Sequence, residues 1–463
     1  MSAYLLERAW VDGRVRDRVL VEIEGGRFTR VTPDFSPVEP VSPMVKPPSP
    51  MVKPPSPVVE PPSPVVEPVE TLRGLTLPGF ANTHSHAFHR ALRGRTQTDR
   101  GTFWTWREQM YAVAARLTPD SYHELARATY SEMVAAGFTA VGEFHYLHHA
   151  PDGTPYADPN AFGQALIAAA ADAGIRITLL DTLYLSSGFG AAPEGVQRRY
   201  ADRSAEAWRE RVDALTGGDH ARVGVAAHSV RAVPAESLKV LAPYVDQGAP
   251  VHVHLSEQVQ ENQDCLASHG VTPTRLLADH GILGPMTTAV HATHLTDEDI
   301  ALLGGAGSYA SFCPTTERDL GDGIGPSRRL RAAGAAITLG SDSQAVIDPF
   351  EEMRALELDE RLASQQRGRW SADELLAAAT SMGHASLGWA DAGEIAVGHR
   401  ADLVTLDLET PRTAGAGRDE HTAVFAAAAA DVRRVMVDGV IRFDGDSGAV
   451  GARLAHAVEA LWR

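Results

Sequence analysis

The segment LTLPGFANTHSH (residues 75–86) is a short apolar run that ends in two histidines, His84 and His86. Successive side chains of a strand alternate between its two faces, so residues i and i+2 point the same way. Both imidazoles therefore face one side, where they can share one cation. The pattern predicts a β-strand whose carboxyl end carries chemistry.

Seven more apolar runs follow, with helix-like stretches between most of them. The eight runs begin near Leu75, Ala140, Ile175, Val223, Val251, Thr288, Ser308 and Ile337. The helix-like stretches include residues 119–136, 160–173, 205–215 and 234–245. Such alternation indicates an α/β fold with a parallel sheet, and eight units in roughly 270 residues favour a closed (β/α)8 TIM barrel. An open doubly wound sheet is the alternative, but no glycine-rich fingerprint follows the first run.

Two terminal segments flank this pattern, and both contain strand-like sequence. Residues 1–35 include VLVEIEGGRFTRV, and residues 393–463 include ADLVTLDL and RRVMVDGVIRF. Each segment is too small for a core of its own. We therefore expect them to pair into one small β-sandwich domain beside a barrel of residues 71–392.

The segment between the first terminal piece and the barrel, residues 36–70, has a different character. A seven-residue unit occurs in it four times, as VSPMVKP, PSPMVKP, PSPVVEP and PSPVVEP. Proline removes backbone donors and favours polyproline II, so we expect a disordered, extended insertion without chemistry.

Charge and composition narrow the function classes. The net charge of −17 argues against nucleic acid or an anionic membrane as a partner. No apolar run reaches the roughly 18 residues of a membrane span, and the N-terminus does not resemble a signal peptide. Cys265 and Cys313 fit a reducing compartment without a disulfide framework. We expect a cytoplasmic protein whose partner is a small molecule.

Ionisable side chains recur at the predicted carboxyl ends of the barrel strands, where TIM barrels build their active sites. Three imidazoles and one carboxylate, from His84, His86, His254 and Asp342, suit zinc with one open position for water. Bound zinc lowers the pKa of that water to about 7, which makes hydroxide available at neutral pH. The same ligand types also accept Fe²⁺, Co²⁺ or Mn²⁺.

The order of an HxH pair, two further histidines and an aspartate on successive strands resembles the amidohydrolase superfamily. The segment GEIAVGHRADLV (residues 393–404) is similar to that superfamily's return from the barrel to the β domain. Binuclear members bridge two metals with a carboxylated lysine on strand four. Lys239 is the only lysine in the predicted barrel, and it falls in a helix-like stretch. The resemblance therefore implies one metal ion per subunit.

Five stretches resemble the formimidoylglutamate deiminases within that superfamily: NTHSHAF (82–88), FWTWRE (103–108), GEFHY (142–146), HSVRAV (228–233) and CPTTERDLGDG (313–323). The resemblance implies a homodimer that hydrolyses N-formimino-L-glutamate to N-formyl-L-glutamate and ammonia in histidine degradation. It also implies roles for individual residues: His84, His86, His254 and Asp342 as zinc ligands, Glu257 as proton shuttle, and His291 and Asp342 as groups that assist attack by water.

A glutamate-derived dicarboxylate needs cationic, preferably bidentate partners. Arg231 and His228 after strand four, and Tyr146 after strand two, are candidates. Arg107 after strand one is another, and the family resemblance allows it to reach a neighbouring subunit's site. His89 stands where the family often has glutamine. A glutamine side chain both donates and accepts hydrogen bonds at its amide, whereas each ring nitrogen of a neutral imidazole either donates or accepts one. His89 is thus a substrate-binding candidate that departs from the family pattern.

Two alternatives stay open. One is another mononuclear deaminase, which acts on guanine, an adenosine derivative or a triazine and needs aromatic walls more than paired arginines. The other is a non-catalytic metal-binding protein on the same barrel, since fold alone does not establish activity. The presence of Glu257 and Asp342 disfavours the second alternative.

Overall fold

The computed structural model describes residues 2–36, 70–97 and 103–463. The repeats of the proline-rich insertion lie outside the described residues. The described strands are β1 (Ser2–Val11), β2 (Arg14–Glu24), β3 (Arg27–Thr32), β4 (Glu70–Pro78), β5 (Phe80–Ser85), β6 (Phe138–His145), β7 (Arg176–Leu183), β8 (Ala221–Ala227), β9 (Val251–Leu255), β10 (Thr287–His291), β11 (Tyr309–Phe312), β12 (Ala336–Leu339), β13 (Leu403–Leu406), β14 (Val432–Val437) and β15 (Val440–Phe443).

The described helices lie between the strands of the barrel and after its last strand. They are α1 (Phe103–Arg116), α2 (Pro119–Ala136), α3 (Ala161–Ala173), α4 (Ala205–Asp213), α5 (Ala235–Leu238), α6 (Ala242–Asp246), α7 (Val259–His269), α8 (Pro273–Asp279), α9 (Asp297–Gly305), α10 (Pro314–Leu320), α11 (Ser327–Ala333), α12 (Pro349–Ser364), α13 (Ala372–Ala379), α14 (Ser381–Ser386), α15 (Glu420–Phe425) and α16 (Ser447–Trp462). Short 3-10 helices cover Ala87–Leu92, Gly195–Arg199 and Ala429–Asp431.

Eight parallel strands, β5 to β12, lie side by side in chain order. The sheet closes because Ser85 at the end of β5 forms a parallel bridge with Asp342 after β12. The Asp342 amide donates to the His84 carbonyl (2.9 Å), and the His86 amide donates to the Asp342 carbonyl (3.1 Å). The predicted TIM barrel is confirmed, and its closure brings two predicted ligand segments together.

The first barrel strand begins at Phe80, so its predicted start near Leu75 was wrong. Leu75 lies in β4, which pairs with β1 and β13 of a second sheet. Pro78 and Gly79 divide the apolar run between the two sheets. Proline has no amide hydrogen for a ladder, and a Cβ on Gly79 would lie 2.3 Å from Thr139 Oγ1.

Local sequence sets the bounds of the helices. Helix α2 matches its predicted range because the Thr118 side chain accepts a hydrogen bond from the Ser121 amide at its start and Gly137 ends it at φ 109°. The stretch predicted at 234–245 is two short helices, α5 and α6, instead of one. Pro243 supplies no amide hydrogen to a continuous helix. Lys239 directly follows α5 and lies in no strand.

Strands from both terminal segments, together with β4, form one seven-stranded mixed sheet in the order β15-β14-β13-β4-β1-β2-β3. Side chains from both segments share one core, which includes Leu6, Val21, Phe28, Leu403 and Met436. The predicted small β domain is therefore one continuous sheet. Residues 447–462 are helix α16 instead, which packs on the barrel.

Among the described residues, no helix is long and apolar enough to cross a bilayer.

Candidate active site

The four proposed ligands converge at the carboxyl end of the barrel, from the ends of β5, β9 and β12. The Nε2 atom of His254 lies 3.1 Å from that of His84 and 3.4 Å from that of His86. Asp342 Oδ1 lies 3.3 Å from His84 Nε2 and 3.4 Å from His86 Nε2. Donor atoms of a tetrahedral zinc site, with bonds of roughly 2.0–2.2 Å, lie roughly 3.3–3.6 Å apart. The observed spacing fits one small cation.

The hydrogen bonds of the imidazoles lead to the same conclusion. Nδ1 of His86 lies 3.0 Å from the Phe144 carbonyl oxygen, and Nδ1 of His254 lies 2.9 Å from that of His228. A carbonyl oxygen only accepts, so in the neutral rings each Nδ1 carries the hydrogen and each Nε2 presents a lone pair. Two lone pairs that face each other repel unless a cation lies between them. This carbonyl-fixed tautomer is the one that binds metal.

Several residues at these strand ends hold a left-handed backbone conformation that residues other than glycine rarely adopt. The φ values are 52° at Ser256, 67° at His291, 48° at Ala292, 41° at Asp342 and 59° at Gln344. Such conformations persist only where the surrounding structure enforces them, and they cluster at functional sites. Here the backbone bonds of Asp342 to both sides of Ser85 enforce one of them.

Glu257 and His291 lie beside the four ligands. Glu257 Oε1 is 3.9 Å from His291 Nε2, which is also 3.9 Å from Asp342 Oδ2. Glu317 Oε1 lies 3.4 Å from His291 Nδ1 and accepts the Cys313 amide at 2.8 Å, so it orients the ring. Burial raises the pKa of the Glu257 carboxyl, which favours its protonated form. The arrangement suits transfer of protons near the cation-binding cluster.

A cavity opens onto this cluster. Every substrate-binding candidate from the sequence lines it: His89, Arg107, Tyr146, His228 and Arg231. Arg107 lies in α1 and lines the cavity of its own chain, although the family resemblance allowed it to reach a neighbouring subunit. The cavity therefore presents two guanidinium groups without a second copy of the chain.

His89 occupies the position that departs from the family pattern. Its Nε2 lies 3.1 Å from the Tyr146 hydroxyl oxygen. Burial lowers the pKa of His89 to about 3, so the ring is neutral. The imidazole thus fixes the Tyr146 hydroxyl at the cavity wall.

Other residues of the cavity were not identified from the sequence. Tyr184 lies just after β7, and its hydroxyl accepts a hydrogen bond from Gln197 Nε2 at 3.1 Å. Gln197 Nε2 also donates a hydrogen bond to the Tyr111 hydroxyl at 3.2 Å. The same hydroxyl accepts a hydrogen bond from Arg107 Nε at 2.6 Å. Tyr184 could have been identified from the sequence, because TIM barrels build their active sites from residues at the carboxyl ends of the strands. Gln197 and Tyr111 are far apart in the chain, and no sequence pattern connects them.

A second group of candidate ligands consists of His145, His148 and Asp181, whose ligand atoms lie within 4.8 Å of one another. Arg211 donates to the two oxygens of Asp181 at 2.6 Å and 2.9 Å. A guanidinium that already neutralises the carboxylate leaves little charge to attract a cation. We assign this group to the packing of α4 against the barrel.

The chain is similar to known proteins in both sequence and structure. The model of the amidohydrolase family matches residues 75–442. A formimidoylglutamate deiminase of Pseudomonas aeruginosa is 38% identical over 385 residues, which cover 80% of this chain and 85% of that protein. A 5'-deoxyadenosine deaminase of Methanoregula boonei is 31% identical over 404 residues, which cover 85% of each chain. The crystal structure of an amidohydrolase from Brucella melitensis is 32% identical, with a TM-score of 0.83 over 100% of both chains.

Proposed function

This chain belongs to the amidohydrolase family, and on that premise we propose that it hydrolyses N-formimino-L-glutamate to N-formyl-L-glutamate and ammonia, a step of histidine degradation. The chain is 38% identical to the formimidoylglutamate deiminase of Pseudomonas aeruginosa but 31% identical to the 5'-deoxyadenosine deaminase of Methanoregula boonei. The higher identity supports N-formimino-L-glutamate over an adenosine derivative as the substrate. One observation carries the proposal: Arg107 and Arg231 line the cavity that opens onto the histidine–aspartate cluster. Two guanidinium groups suit the two carboxylates of a glutamate derivative.

We propose zinc as the metal, one ion per subunit. His84, His86, His254 and Asp342 would hold it, because the spacing of their donor atoms suits zinc and backbone carbonyls fix the metal-binding tautomer of His86 and His254. When bound, zinc lowers the pKa of a water molecule to about 7.

Glu257 is the proposed proton carrier of the reaction. Hydrolysis joins the water oxygen to the formimino carbon and breaks the bond between that carbon and the terminal nitrogen. The nitrogen leaves as ammonia after it receives both protons of the water, one on addition and one on breakdown. Glu257 delivers both protons to the nitrogen: it takes one directly from the oxygen, and the other passes from the oxygen to Asp342 first. His291, which Glu317 orients, assists the addition of water, and Asp342 accepts a proton as well as binding metal.

The alternative function is deamination of a purine or triazine ring. Trp106, Tyr184 and Tyr200 line the same cavity and offer aromatic faces to such a ring. A neutral ring, however, carries no carboxylate for the Arg107 and Arg231 guanidinium groups of this cavity to bind, whereas a glutamate derivative carries two.

The test is ammonia release by the purified, zinc-loaded chain. N-formimino-L-glutamate is assayed in parallel with guanine and 5'-deoxyadenosine, and the Glu257→Gln variant serves as the inactive control. We expect rapid release from the first compound alone, together with N-formyl-L-glutamate as the second product. Release from a purine alone would retain the hydrolytic chemistry and refute the substrate.

We also propose a cytoplasmic homodimer, as the family resemblance implies. Arg107 lies in its own chain's cavity, so dimer formation is not needed to bring this side chain to the site. Light scattering should give twice the chain mass of 49.5 kDa. A mass of one chain in the active enzyme would refute the dimer.

A further inference from the structure

A buried carboxylate connects the cavity arginine to the segment that carries Glu257. Glu261 lies in the first turn of α7 and is 1% exposed. Its Oε2 accepts a hydrogen bond from Arg231 Nε at 3.0 Å, and its Oε1 accepts one from the Ser256 amide at 3.0 Å. Each oxygen of Glu261 therefore serves a different part of the site.

The bond to Arg231 fixes the plane of its guanidinium. A guanidinium has five N–H donors in one rigid fork, and Nε is the one that Glu261 engages. Among the described residues, Arg231 has no other hydrogen-bond acceptor for its side chain. The side chain is 25% exposed and lines the cavity, so its terminal nitrogens are available to a carboxylate of the substrate.

The bond to the Ser256 amide stabilises a strained turn. Ser256 has φ 52°, which is unfavourable for a residue with a Cβ, and it directly precedes Glu257. A change of φ at this position redirects the chain that follows it. The Glu261 carboxylate is thus one of the contacts that determine where the Glu257 carboxyl points.

We propose that Glu261 is a positioning residue that couples binding of a substrate carboxylate at Arg231 to the placement of Glu257. This inference rests on the proposed function. The energy of binding the substrate carboxylate at Arg231 then helps to place Glu257 beside the reacting carbon. Such coupling raises kcat as well as lowering KM. A substrate without that carboxylate should turn over slowly even at saturation.

The test compares Glu261→Gln, Glu261→Asp and Asp264→Asn in the zinc-loaded enzyme. The glutamine keeps an oxygen for the Ser256 amide but presents an amide donor to the Arg231 donor, while the aspartate keeps the charge. Asp264 is on the same helix and bonds only to Gln260 among the described residues, so its variant controls for a change of charge on α7. Zinc content and thermal unfolding confirm that each variant is folded.

We expect Glu261→Gln to reduce kcat/KM on N-formimino-L-glutamate roughly 10- to 100-fold, with a fall in kcat included. Two analogues that each lack one carboxylate, N-formimino-4-aminobutyrate and N-formimino-norvaline, are assayed alongside. One of them should already be slow with the wild-type enzyme and change little in the variant. Glu261→Asp should recover part of the loss, and Asp264→Asn should behave as wild type.

The coupling is overturned if Glu261→Gln matches Asp264→Asn, or if it reduces turnover of all three compounds by the same factor, as a general structural defect would. No turnover of N-formimino-L-glutamate by the wild-type chain would overturn the proposed function and the coupling with it. The two failures are therefore distinguished by the wild-type measurement.

Discussion

A buried ion pair joins the barrel to the terminal sheet, and we predict that Asp402→Asn destabilises the fold. Asp402 lies in the segment GEIAVGHRADLV, just before β13, and both terminal nitrogens of Arg176 donate to it. Asp402 Oδ1 also accepts the Asp438 amide at 2.9 Å. Both side chains of the pair are 1% exposed. Although burial acts to raise it, the Arg176 guanidinium holds the pKa of Asp402 below its ordinary value.

The size of the effect follows from these contacts. Removing one partner of a buried pair costs roughly 3–5 kcal/mol, because the other charge is left buried without its partner. Arg176 keeps a second carboxylate oxygen, Asp438 Oδ1, at 3.2 Å. We therefore expect about 3 kcal/mol, the low end of that range. Asp444 makes the same kind of pair with Arg434 but is 60% exposed, so Asp444→Asn should lose at most about 1 kcal/mol.

The assay is urea unfolding followed by tryptophan emission. The Arg176 guanidinium lies 5.5 Å from the ring centroid of Trp389, one of the seven tryptophans of the chain, so part of the emission comes from this junction. We expect a lower midpoint for Asp402→Asn with a similar slope, which means a loss of stability without a change in the surface exposed on unfolding. Equal midpoints for Asp402→Asn and Asp444→Asn would refute the reasoning.

Three further predictions concern catalysis, binding and pH. Glu257→Gln should keep its fold and metal content while turnover falls roughly 10²- to 10⁴-fold; unchanged ammonia release would remove Glu257 from the mechanism. Arg231→Lys keeps the charge but loses the planar fork, so KM for N-formimino-L-glutamate should rise roughly tenfold or more, and an unchanged KM in steady-state kinetics would exclude Arg231 from carboxylate binding. The side chain of Asp202 is only 6% exposed, but His149 and Arg211 hold its pKa at about 2, below the ordinary 3.8. Its contribution of about 2 kcal/mol should therefore be present above pH 3.8 and lost as the pH falls toward 2. Urea unfolding of Asp202→Asn should show a weaker loss of stability across this range than the wild type does, and parallel curves would contradict it.

The barrel and its site could be predicted from local patterns. Strand side chains alternate, so HxH places two imidazoles on one face. Parallel strands in chain order bring their carboxyl ends to one rim, so the ionisable residues at those ends were expected to meet there. The structure does bring these donor atoms together, because His254 Nε2 and Asp342 Oδ1 each lie 3.1–3.4 Å from the Nε2 atoms of His84 and His86. The residue roles at this site stay predictions.

Local sequence patterns gave wrong bounds where one continuous stretch of sequence is divided between two secondary-structure elements. The apolar run from Leu75 to Phe80 serves two sheets, and its division at Pro78 and Gly79 depends on contacts with Thr139 and with β13. The stretch at 234–245 has helical periodicity, but it forms two helices, and Pro243 in the first turn of the second has no amide hydrogen for a continuous helix. The C-terminal helix lies in a segment rich in strands and packs on the barrel through Trp462, whose indole donates to the Ala91 carbonyl at 2.9 Å.

The sequence by itself determined the fold class, the candidate ligands and the pair of arginines, because each depends on residue type, on the period of a strand or on order along the chain. Only the tertiary structure showed that Arg107 lines its own chain's cavity and that Tyr111, Gln197 and Tyr184 connect to it. It alone showed that Glu261 joins Arg231 to Ser256. Most of these contacts join residues from different strands and helices, such as Arg231 and Glu261, which are 30 positions apart, and such pairs meet only when the barrel closes.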